Sequence, residues 1–363
     1  MTSGMAAARR VEPTIATFDP GAPRVGHRLF SCLIGALFLL PWLPCADAAQ
    51  VAADAPAREE AIVLETLVVS GKMPGPGLWK VSRDGHVMWV LGTVQPVARD
   101  MEWASDDVAA RVAAAGKVLM PPRVSFDLGI GKFRQLMLLP RMLGARRNPG
   151  RERLQDTVPP EDYARWVALK ERYMGRDRKV ETFRPVFAAG ELSGAALKKS
   201  GLQYRGLVRP VVEKVAKEHG VEIEQPRLEI PIADPKAAIR AFRQTEIDDA
   251  QCFHQTLEHL ENDLSAMRIR ANAWARGDLL TLQEVTFTNP SQACMDAVLE
   301  SRFAEEQGIH DLGGQLDALW LERAQAVIGE HETSFAALPM EKLLGENGQL
   351  AALAARGYTV EAP

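Results

Sequence analysis

Two short runs near residue 80 have the alternating apolar and polar positions of β-strands. The runs LWKVS (78–82) and HVMWVLG (86–92) lie on either side of Asp84-Gly85. An Asp-Gly pair between β-rich runs is typical of a hairpin turn, because glycine tolerates the positive φ that a tight turn requires. We therefore predict a β-hairpin. A two-residue turn would place its two tryptophans, Trp79 and Trp89, on opposite faces of the hairpin.

Elsewhere the spacing of apolar residues predicts short strands and many helices. In most of the chain apolar side chains recur at intervals of three and four, as they do on one face of an α-helix. These intervals predict helices at 105–115, 133–143, 160–173, 182–199, 210–219, 291–307, 315–328 and 349–356. Other patterns predict strands at 62–69, 117–120, 221–224 and 358–360, with a further short apolar run at 335–338.

The longest helical pattern runs from Asp234 to Arg276. Pro235 falls in its first turn, where a missing N–H is tolerated, and neither Gly nor Pro follows until Gly277. This segment is predicted to form one long helix or two helices joined by a bend. Strands near both ends of the chain, with helices between them, indicate an α+β domain. Its central β-sheet would be formed from N-terminal and C-terminal strands and wrapped by a large helical middle region.

The N-terminus carries the pattern of a secretory signal peptide. An arginine-containing region precedes an apolar run from Leu29 to Leu43, and Ala46-Asp47-Ala48, the type of sequence that a signal peptidase reads, follows it. Pro41 keeps the uninterrupted apolar stretch below the ~20 residues that a membrane-spanning helix needs. We expect cleavage after Ala48 or Ala49. An uncleaved anchor and lipidation of Cys45 are the open alternatives.

This pattern divides the chain into three parts. We predict a signal peptide at 1–48, a flexible leader at 49–76 and the folded domain at 77–361. The protein would then be periplasmic or otherwise exported, with no membrane span after cleavage.

Composition and motifs argue against two classes of function. The net charge of −4 and the absence of basic runs give no positively charged surface for binding nucleic acid. The sequence also has neither a phosphate-binding glycine loop nor a G-x-S-x-G elbow.

Removal of the signal peptide leaves two cysteines, Cys252 and Cys294. Exported chains meet oxidising conditions, in which cysteines commonly pair. A bridge between these two would close a loop of roughly 40 residues. We predict a disulfide, and two unrelated buried thiols are the alternative.

The best local candidate for a metal site is His254 together with Glu258. The two residues are four apart and share a helix face. The nearest histidine, His259, lies five residues from His254, whereas the H-E-x-x-H zinc motif has its histidines four apart. A solvated helix face is therefore the favoured interpretation. The other acids of this segment are expected on the same solvated side: Asp248, Asp249, Glu261 and Asp263.

Four segments, taken in order, resemble the TraB/GumN family. They are LWKVS (78–82), VLGTVQ (90–95), AWARGDL (273–279) and LAARGYTV (353–360), so the resemblance covers roughly residues 77–361. The family is similar to the Tiki proteins, in which two G-x-x-H motifs and a Glu are thought to form a metal site for hydrolysis. The resemblance implies an α+β fold with a central sheet wrapped by helices.

The first part of the family's metal site falls on residues of other types in this chain. The first G-x-x-H coincides with Gly92 to Gln95, so Gln95 stands where the first histidine would be. The family's Glu, at the end of the next strand, falls on Met120 or Pro121. The resemblance therefore supplies neither an imidazole nor a carboxylate at these positions.

The second part of the site has changed in the same way. The second G-x-x-H falls on Pro339 to Lys342, so Lys342 replaces the second histidine. An Arg-Asn pair common upstream of that motif falls on Arg323-Ala324, which keeps only the arginine. If the alignment holds, Gln95 should face a pocket shared with the other two strand ends, and Lys342 should point at solvent or pair with a carboxylate.

These replacements bear directly on chemistry. A neutral amide, a thioether or a proline is a poor substitute for imidazole or carboxylate at a hydrolytic ion, and a Lys ammonium repels the cation. The resemblance therefore implies a pseudoenzyme with no metal, no cofactor and no catalytic residue. Such a protein would be a non-catalytic binding or structural protein of the cell envelope, with a partner or ligand still to be identified.

Two other functions are compatible with the sequence. One is a metal-dependent or relocated hydrolase of the same family, peptidase-like, which would use Gln95, Lys342 and Arg323 or the face formed by His254 and Glu258. The other is an envelope assembly factor that acts through the long acidic helix. Metal analysis separates the hydrolase from the binding protein, because only the hydrolase needs a bound ion.

Overall fold

A six-stranded mixed sheet lies at the centre of the fold. The computed structural model describes residues 73–245, 247–284, 294, 297–299, 301–345 and 347–363. The predicted signal peptide, most of the predicted leader and the strand predicted at 62–69 lie outside these residues, as do six of the seventeen residues of the helix predicted at 291–307. The predicted α+β class, with helices around a central sheet, is confirmed.

Strands occur near both ends and in the middle of the described chain, separated by runs of consecutive helices. The strands are β1 (Leu78–Arg83), β2 (His86–Thr93), β3 (Val97–Ala98), β4 (Lys117–Leu119), β5 (Arg123–Asp127), β6 (Leu202–Gln203), β7 (Glu222–Glu224), β8 (Arg227–Pro231), β9 (Thr333–Pro339) and β10 (Thr359–Glu361). The helices are α1 (Asp106–Ala113), α2 (Lys132–Gly144), α3 (Pro160–Tyr173), α4 (Pro185–Lys199), α5 (Val208–His219), α6 (Pro235–Gln244), α7 (Ala250–Asn262), α8 (Leu264–Arg276), α9 (Leu279–Glu284), α10 (Arg302–Glu306), α11 (Leu312–Glu330), α12 (Met340–Leu343) and α13 (Gln349–Ala354). None of these helices is long and apolar enough to cross a bilayer.

The predicted hairpin is formed by β1 and β2. Asp84 and Gly85 make its turn with φ of 51° and 88°, the left-handed conformations that a tight hairpin requires. The register places Trp79 and Trp89 on opposite faces, as the two-residue turn predicts. Trp79 is buried in the core, whereas Trp89 is half-buried beneath the Arg111 guanidinium, 3.8 Å from its ring centre.

The sheet joins the beginning of the folded domain to its end. Its strand order is β10-β1-β2-β9-β4-β7, and β2, β9, β4 and β7 run parallel. Helices α1 and α11 both contact β9, whose residues 334–338 are all buried. A parallel strand covered on both faces needs such a continuous apolar run. The carboxyl ends of four strands therefore meet at one edge of the sheet.

Two small sheets were not predicted. Strand β5 pairs in parallel with β8, and β3 pairs antiparallel with β6. Strand β5 has the sequence RVSFD, whose partly buried and exposed positions do not alternate regularly. Strands β3 and β6 have two residues each. Segments this short or this mixed carry no period that a sequence pattern could reveal.

The prediction of one long helix or two over 234–276 was wrong, because this segment forms three helices. Helix α6 ends at Gln244, and the next residue, Thr245, has an extended ψ of 130°. Helices α7 and α8 meet at Asp263, whose backbone is not helical. The expected solvated position of Asp249 was also wrong. Asp249 is buried, accepts a hydrogen bond from the Val186 N–H at 2.9 Å, and has its pKa raised by burial.

Helices α3, α4 and α7 enclose a second apolar core. Its largest side chains, Trp166 and Phe253, are fully buried with ring centres 5.5 Å apart. Cys252 precedes Phe253 on α7, and its Cα lies 4.7 Å from that of Cys294, to which it is bonded. The predicted disulfide is confirmed, and it ties α7 to a residue that follows it by 42 positions.

Candidate functional site

A cavity of about 720 Å³ opens at the edge where the parallel strands end. Thr93 ends β2 and residues 94–95 follow it, Met120 and Pro121 follow β4, and Pro339 ends β9. The segment 204–210, which leads into α5, forms another wall. Three segments that are far apart in sequence therefore meet here because their strands are neighbours in one sheet.

The structure brings together most, but not all, of the positions taken from the family resemblance. Gln95, Met120, Pro121 and Pro339 line the cavity. Lys342 does not line it: its Nζ lies 2.8 Å from Asp317 Oδ2, and its side chain is partly exposed. Glu341, the preceding residue, lines the cavity instead.

Gly92 lies beneath the cavity and has a structural role. Its carbonyl oxygen accepts a hydrogen bond of 2.7 Å from Trp274 Nε1. A Cβ at this position would lie 2.5 Å from Met340 Cε and 3.2 Å from Leu343 Cδ1. Helix α12 therefore packs closely against β2 at residue 92, and a side chain there would force Met340 to shift.

The floor of the cavity is apolar and its mouth is polar. Met120, Trp274 and Ala337 form buried parts of the wall. The polar side chains that line it are mostly exposed: Gln95, Tyr204, Arg205, Arg209, Glu213 and Glu341. This division suits a ligand with an apolar part and a charged or polar end.

One cation at the mouth, Arg205, has no partner among the residues that the structure describes. Arg209 Nη1 lies 3.0 Å from Glu213 Oε1, and Glu341 Oε2 lies 3.4 Å from Arg270 Nη2. Arg205 forms neither a hydrogen bond nor an ion pair with any residue that the structure describes. Because both carboxylates already face an arginine, the net attraction at the mouth favours an anionic group.

The residues at the strand ends do not fit a hydrolytic metal ion. Gln95 offers a neutral amide, Met120 a thioether, and Pro121 and Pro339 no side-chain donor. Hard divalent ions are held by carboxylate oxygens, and zinc by imidazole, thiolate or carboxylate. Within the described part of the chain, no three His, Cys, Asp or Glu side chains lie close enough together to hold an ion.

His254 lies outside this cavity and has a partner that the sequence did not indicate. Its Nδ1 is 2.8 Å from Oδ1 of Asp162, a buried residue of α3. Arg165 lies beside the pair and binds Glu261 at 2.7 Å. Glu258, four residues from His254 on α7, is not part of this contact. The pairing joins α3 to α7, a contact between residues 92 positions apart that helix spacing cannot predict.

Arg323 is also away from the cavity, at the edge of the sheet formed by β7. Its Nε and Nη2 lie 2.5 and 3.0 Å from the two carboxylate oxygens of Glu224. Lys117 Nζ is 3.6 Å from the same carboxylate. The hydrogen bond from Arg323 holds the pKa of Glu224 below its ordinary value, and Lys117 acts in the same direction.

Substituting Arg323→Gln should change how stability depends on pH. A lowered folded-state pKa means that Glu224 stabilises the fold above the ordinary carboxyl pKa of about 4.5, and that this stabilisation is lost as the pH falls through the folded value. We expect the variant to lose about 1 to 2 kcal/mol at pH 7 and to show a flatter decline below about pH 4.5. Urea unfolding at several pH values measures both effects.

Lys342→Gln is the matched control for this substitution, because it removes a cation from the more exposed pair with Asp317. We expect the control to change stability by less than about 0.5 kcal/mol at pH 7. Equal losses of unfolding free energy for the two variants would show that the bidentate pair of Arg323 with Glu224 stabilises the fold no more than an exposed ion pair does.

Comparison with known proteins gives one match. A family model described as the TraB/PrgY/gumN family matches residues 77–362. The resemblance carried by the four sequence segments is thereby confirmed. No curated protein and no solved structure matches the chain.

Proposed function

The chain belongs to the TraB/PrgY/gumN family, and we propose that it is an exported, non-catalytic member that binds a small acidic ligand at the ends of its parallel strands. The ligand's apolar part would lie on the floor formed by Met120 and Trp274, and its acidic group would meet Arg205 at the mouth. The protein would act in the cell envelope by binding rather than by hydrolysis.

The observation that carries this proposal is the convergence of three strand ends on one cavity. Ligands of open sheets bind in the crevice beyond the carboxyl ends of parallel strands. A volume of about 720 Å³ falls within the range typical of small-molecule pockets. At the strand ends, Gln95, Met120, Pro121 and Pro339 supply an amide, a thioether and prolines, which suit packing and hydrogen bonding better than metal binding.

Export is supported by two independent features. The N-terminal arginines, apolar run and Ala46-Asp47-Ala48 have the order of a secretory signal. The bridge between Cys252 and Cys294 fits an oxidising compartment, since disulfides rarely persist in the cytosol. Both features favour the periplasm or another extracytoplasmic location.

The acidic character of the ligand follows from the charges at the mouth. Arg209 faces Glu213 and Arg270 faces Glu341, so their attraction for an incoming anion is largely offset. Arg205 retains its full attraction, and a guanidinium can bind a carboxylate through two parallel hydrogen bonds. An apolar molecule with one carboxylate therefore matches the cavity better than a cation or a neutral sugar.

Binding of N-acetylated apolar amino acids tests the proposal. Isothermal titration of the exported protein should detect saturable binding of at least one of these carboxylates. Arg205→Gln should weaken it about tenfold, because a charge-assisted hydrogen bond is lost. Gln95→Trp should abolish it by filling the cavity from an exposed turn. The matched control is Arg178→Gln, which removes an exposed arginine away from the cavity and should leave binding unchanged.

Two results would contradict the proposal. If none of these compounds binds, or if Arg205→Gln and Arg178→Gln have the same effect, the cavity is not an acid-binding site. Each variant must first be shown to unfold within a few degrees of the parent protein, so that lost binding is not lost folding.

A further inference from the structure

Helix α2 is rich in apolar residues and yet lies on the surface. Its sequence is KFRQLMLLPRMLG, and Leu138 is the one buried residue in it. Its other large apolar side chains are between 47% and 75% exposed: Phe133, Leu136, Met137, Leu139, Met142 and Leu143. Several large apolar side chains exposed together on one helix are typical of an interaction site.

The two arginines of α2 lie on a different side of the helix from most of its exposed apolar residues, whereas Lys132 lies at the edge of the apolar face. At about 100° per residue, Phe133, Leu136, Met137 and Leu143 fall within one broad face. Leu138 lies on the side that packs on the protein, and Arg134 and Arg141 lie together beside the exposed face. The exposed surface of the helix is therefore amphipathic, with its apolar face turned away from the core.

The charge of α2 has one sign. The helix contains three cations, Lys132, Arg134 and Arg141, and neither Asp nor Glu. None of the three forms an ion pair with a residue in the described part of the chain. Phe126, on β5, is a further large apolar side chain that is exposed, at 57%. This surface combines an apolar face with uncompensated positive charge.

We propose that α2 docks the protein on an anionic lipid bilayer. Its apolar face would enter the outer part of the bilayer, and its three cations would reach the headgroup phosphates on their long side chains. A helix of 13 residues is about 20 Å long, well short of the ~30 Å hydrocarbon core, so it would lie along the surface rather than cross it. The proposal does not depend on what the cavity binds.

Charge complementarity favours a bilayer over a second copy of the chain. A two-fold contact through α2 would bring Arg134 and Arg141 of one copy near the same residues of the other, which like charges disfavour. An anionic lipid surface neutralises these cations and accepts the apolar face in the same contact.

Vesicle sedimentation tests the proposal directly. The exported protein, with its N-terminus read by mass spectrometry, is mixed with vesicles of phosphatidylcholine alone or with about 30% phosphatidylglycerol. We expect about tenfold stronger binding to the anionic vesicles, reduced at about 0.5 M salt by screening. The double substitution Leu136→Asp with Met137→Asp should weaken this binding at least about tenfold.

Two further variants separate apolar from electrostatic contributions. Arg134→Gln with Arg141→Gln should weaken binding several-fold and remove most of its salt dependence. Leu280→Asp is the matched control, because Leu280 is 73% exposed on α9, and it should bind as the parent does. Thermal melting within a few degrees of the parent shows that each variant is folded.

Three results would overturn the proposal. The first is binding that the α2 substitutions leave unchanged. The second is equal binding to neutral and anionic vesicles. The third is a parent protein that sediments as a dimer and becomes monomeric when Leu136 and Met137 are replaced, which would make a second copy the occupant of this surface.

Discussion

Replacing Cys252 and Cys294 with serine is expected to lower the free energy of unfolding by about 4 kcal/mol. The bridge closes a loop of 42 residues, and the loop-entropy model assigns a crosslink of this span a stabilisation of that size. The two residues join α7, part of the second apolar core, to a position well beyond α8. Urea unfolding of the parent and the double variant measures the difference.

The reduced parent protein is the control for this substitution. It has the same residues as the oxidised protein and lacks only the bond, so it should unfold at nearly the same urea concentration as the serine variant. A loss of less than about 1 kcal/mol would show that the bond adds little to contacts already made by α7. Free thiols in the exported protein under denaturing, non-reducing conditions would contradict the pairing itself.

Replacing Trp274 with alanine is expected to cost about 3 to 5 kcal/mol and to remove ligand binding. Its indole is fully buried, lies 5.4 Å from the ring of Trp103 and donates to the Gly92 carbonyl oxygen at 2.7 Å. The same ring lines the floor of the cavity. Thermal and urea unfolding, with titration of the best acidic ligand, measure the two losses separately.

Two other substitutions show which property of Trp274 matters. Trp274→Phe keeps most of the apolar volume and removes the N–H, so it should cost about 1 to 3 kcal/mol by leaving a buried carbonyl unpaired. Trp89→Ala is the control, because Trp89 is half-buried on the other face of the hairpin. If Trp89→Ala destabilised the protein as much as Trp274→Ala, the contact between α8 and β2 would contribute no more to stability than a half-buried tryptophan elsewhere on the hairpin.

The central sheet could be predicted in large part because its strands carry local patterns. The Asp84-Gly85 turn fixed the register of β1 and β2, and the apolar run near 335 became a central strand covered on both faces. The break at Thr245 and the joint at Asp263 could not be predicted, because both occur within a pattern that is locally compatible with helix. At these two places, packing against the rest of the protein determines where the helices end.

The candidate site was predictable only through the family resemblance. Nothing in the local sequence around Gln95 or Pro339 indicates a pocket, and these positions meet because β2 and β9 are neighbours in the sheet. The wall formed by Arg205 and its neighbours was missed, because no motif marks it. The same holds for the pairs of Asp162 with His254 and of Glu224 with Arg323, which join residues about one hundred positions apart.

Arg323 illustrates how a carried-over residue can have another function. The resemblance placed it near the second metal motif, whereas in the structure it binds Glu224 at the end of β7. Lys342 likewise pairs with Asp317, and Glu341 lines the cavity in its place. Both cations therefore stabilise the surroundings of the sheet edge rather than line the cavity.

The metal content of the exported protein tests the central claim most directly. The protein is dialysed against zinc, manganese and cobalt ions, washed, and analysed for bound metal together with hydrolysis of peptides. The amide, thioether and prolines around the cavity predict less than about one-tenth of an ion per chain and no chelator-sensitive hydrolysis. One ion per chain, with hydrolysis that a chelator abolishes and that Gln95→Ala or Glu341→Ala removes, would contradict the account and identify the protein as a metallohydrolase.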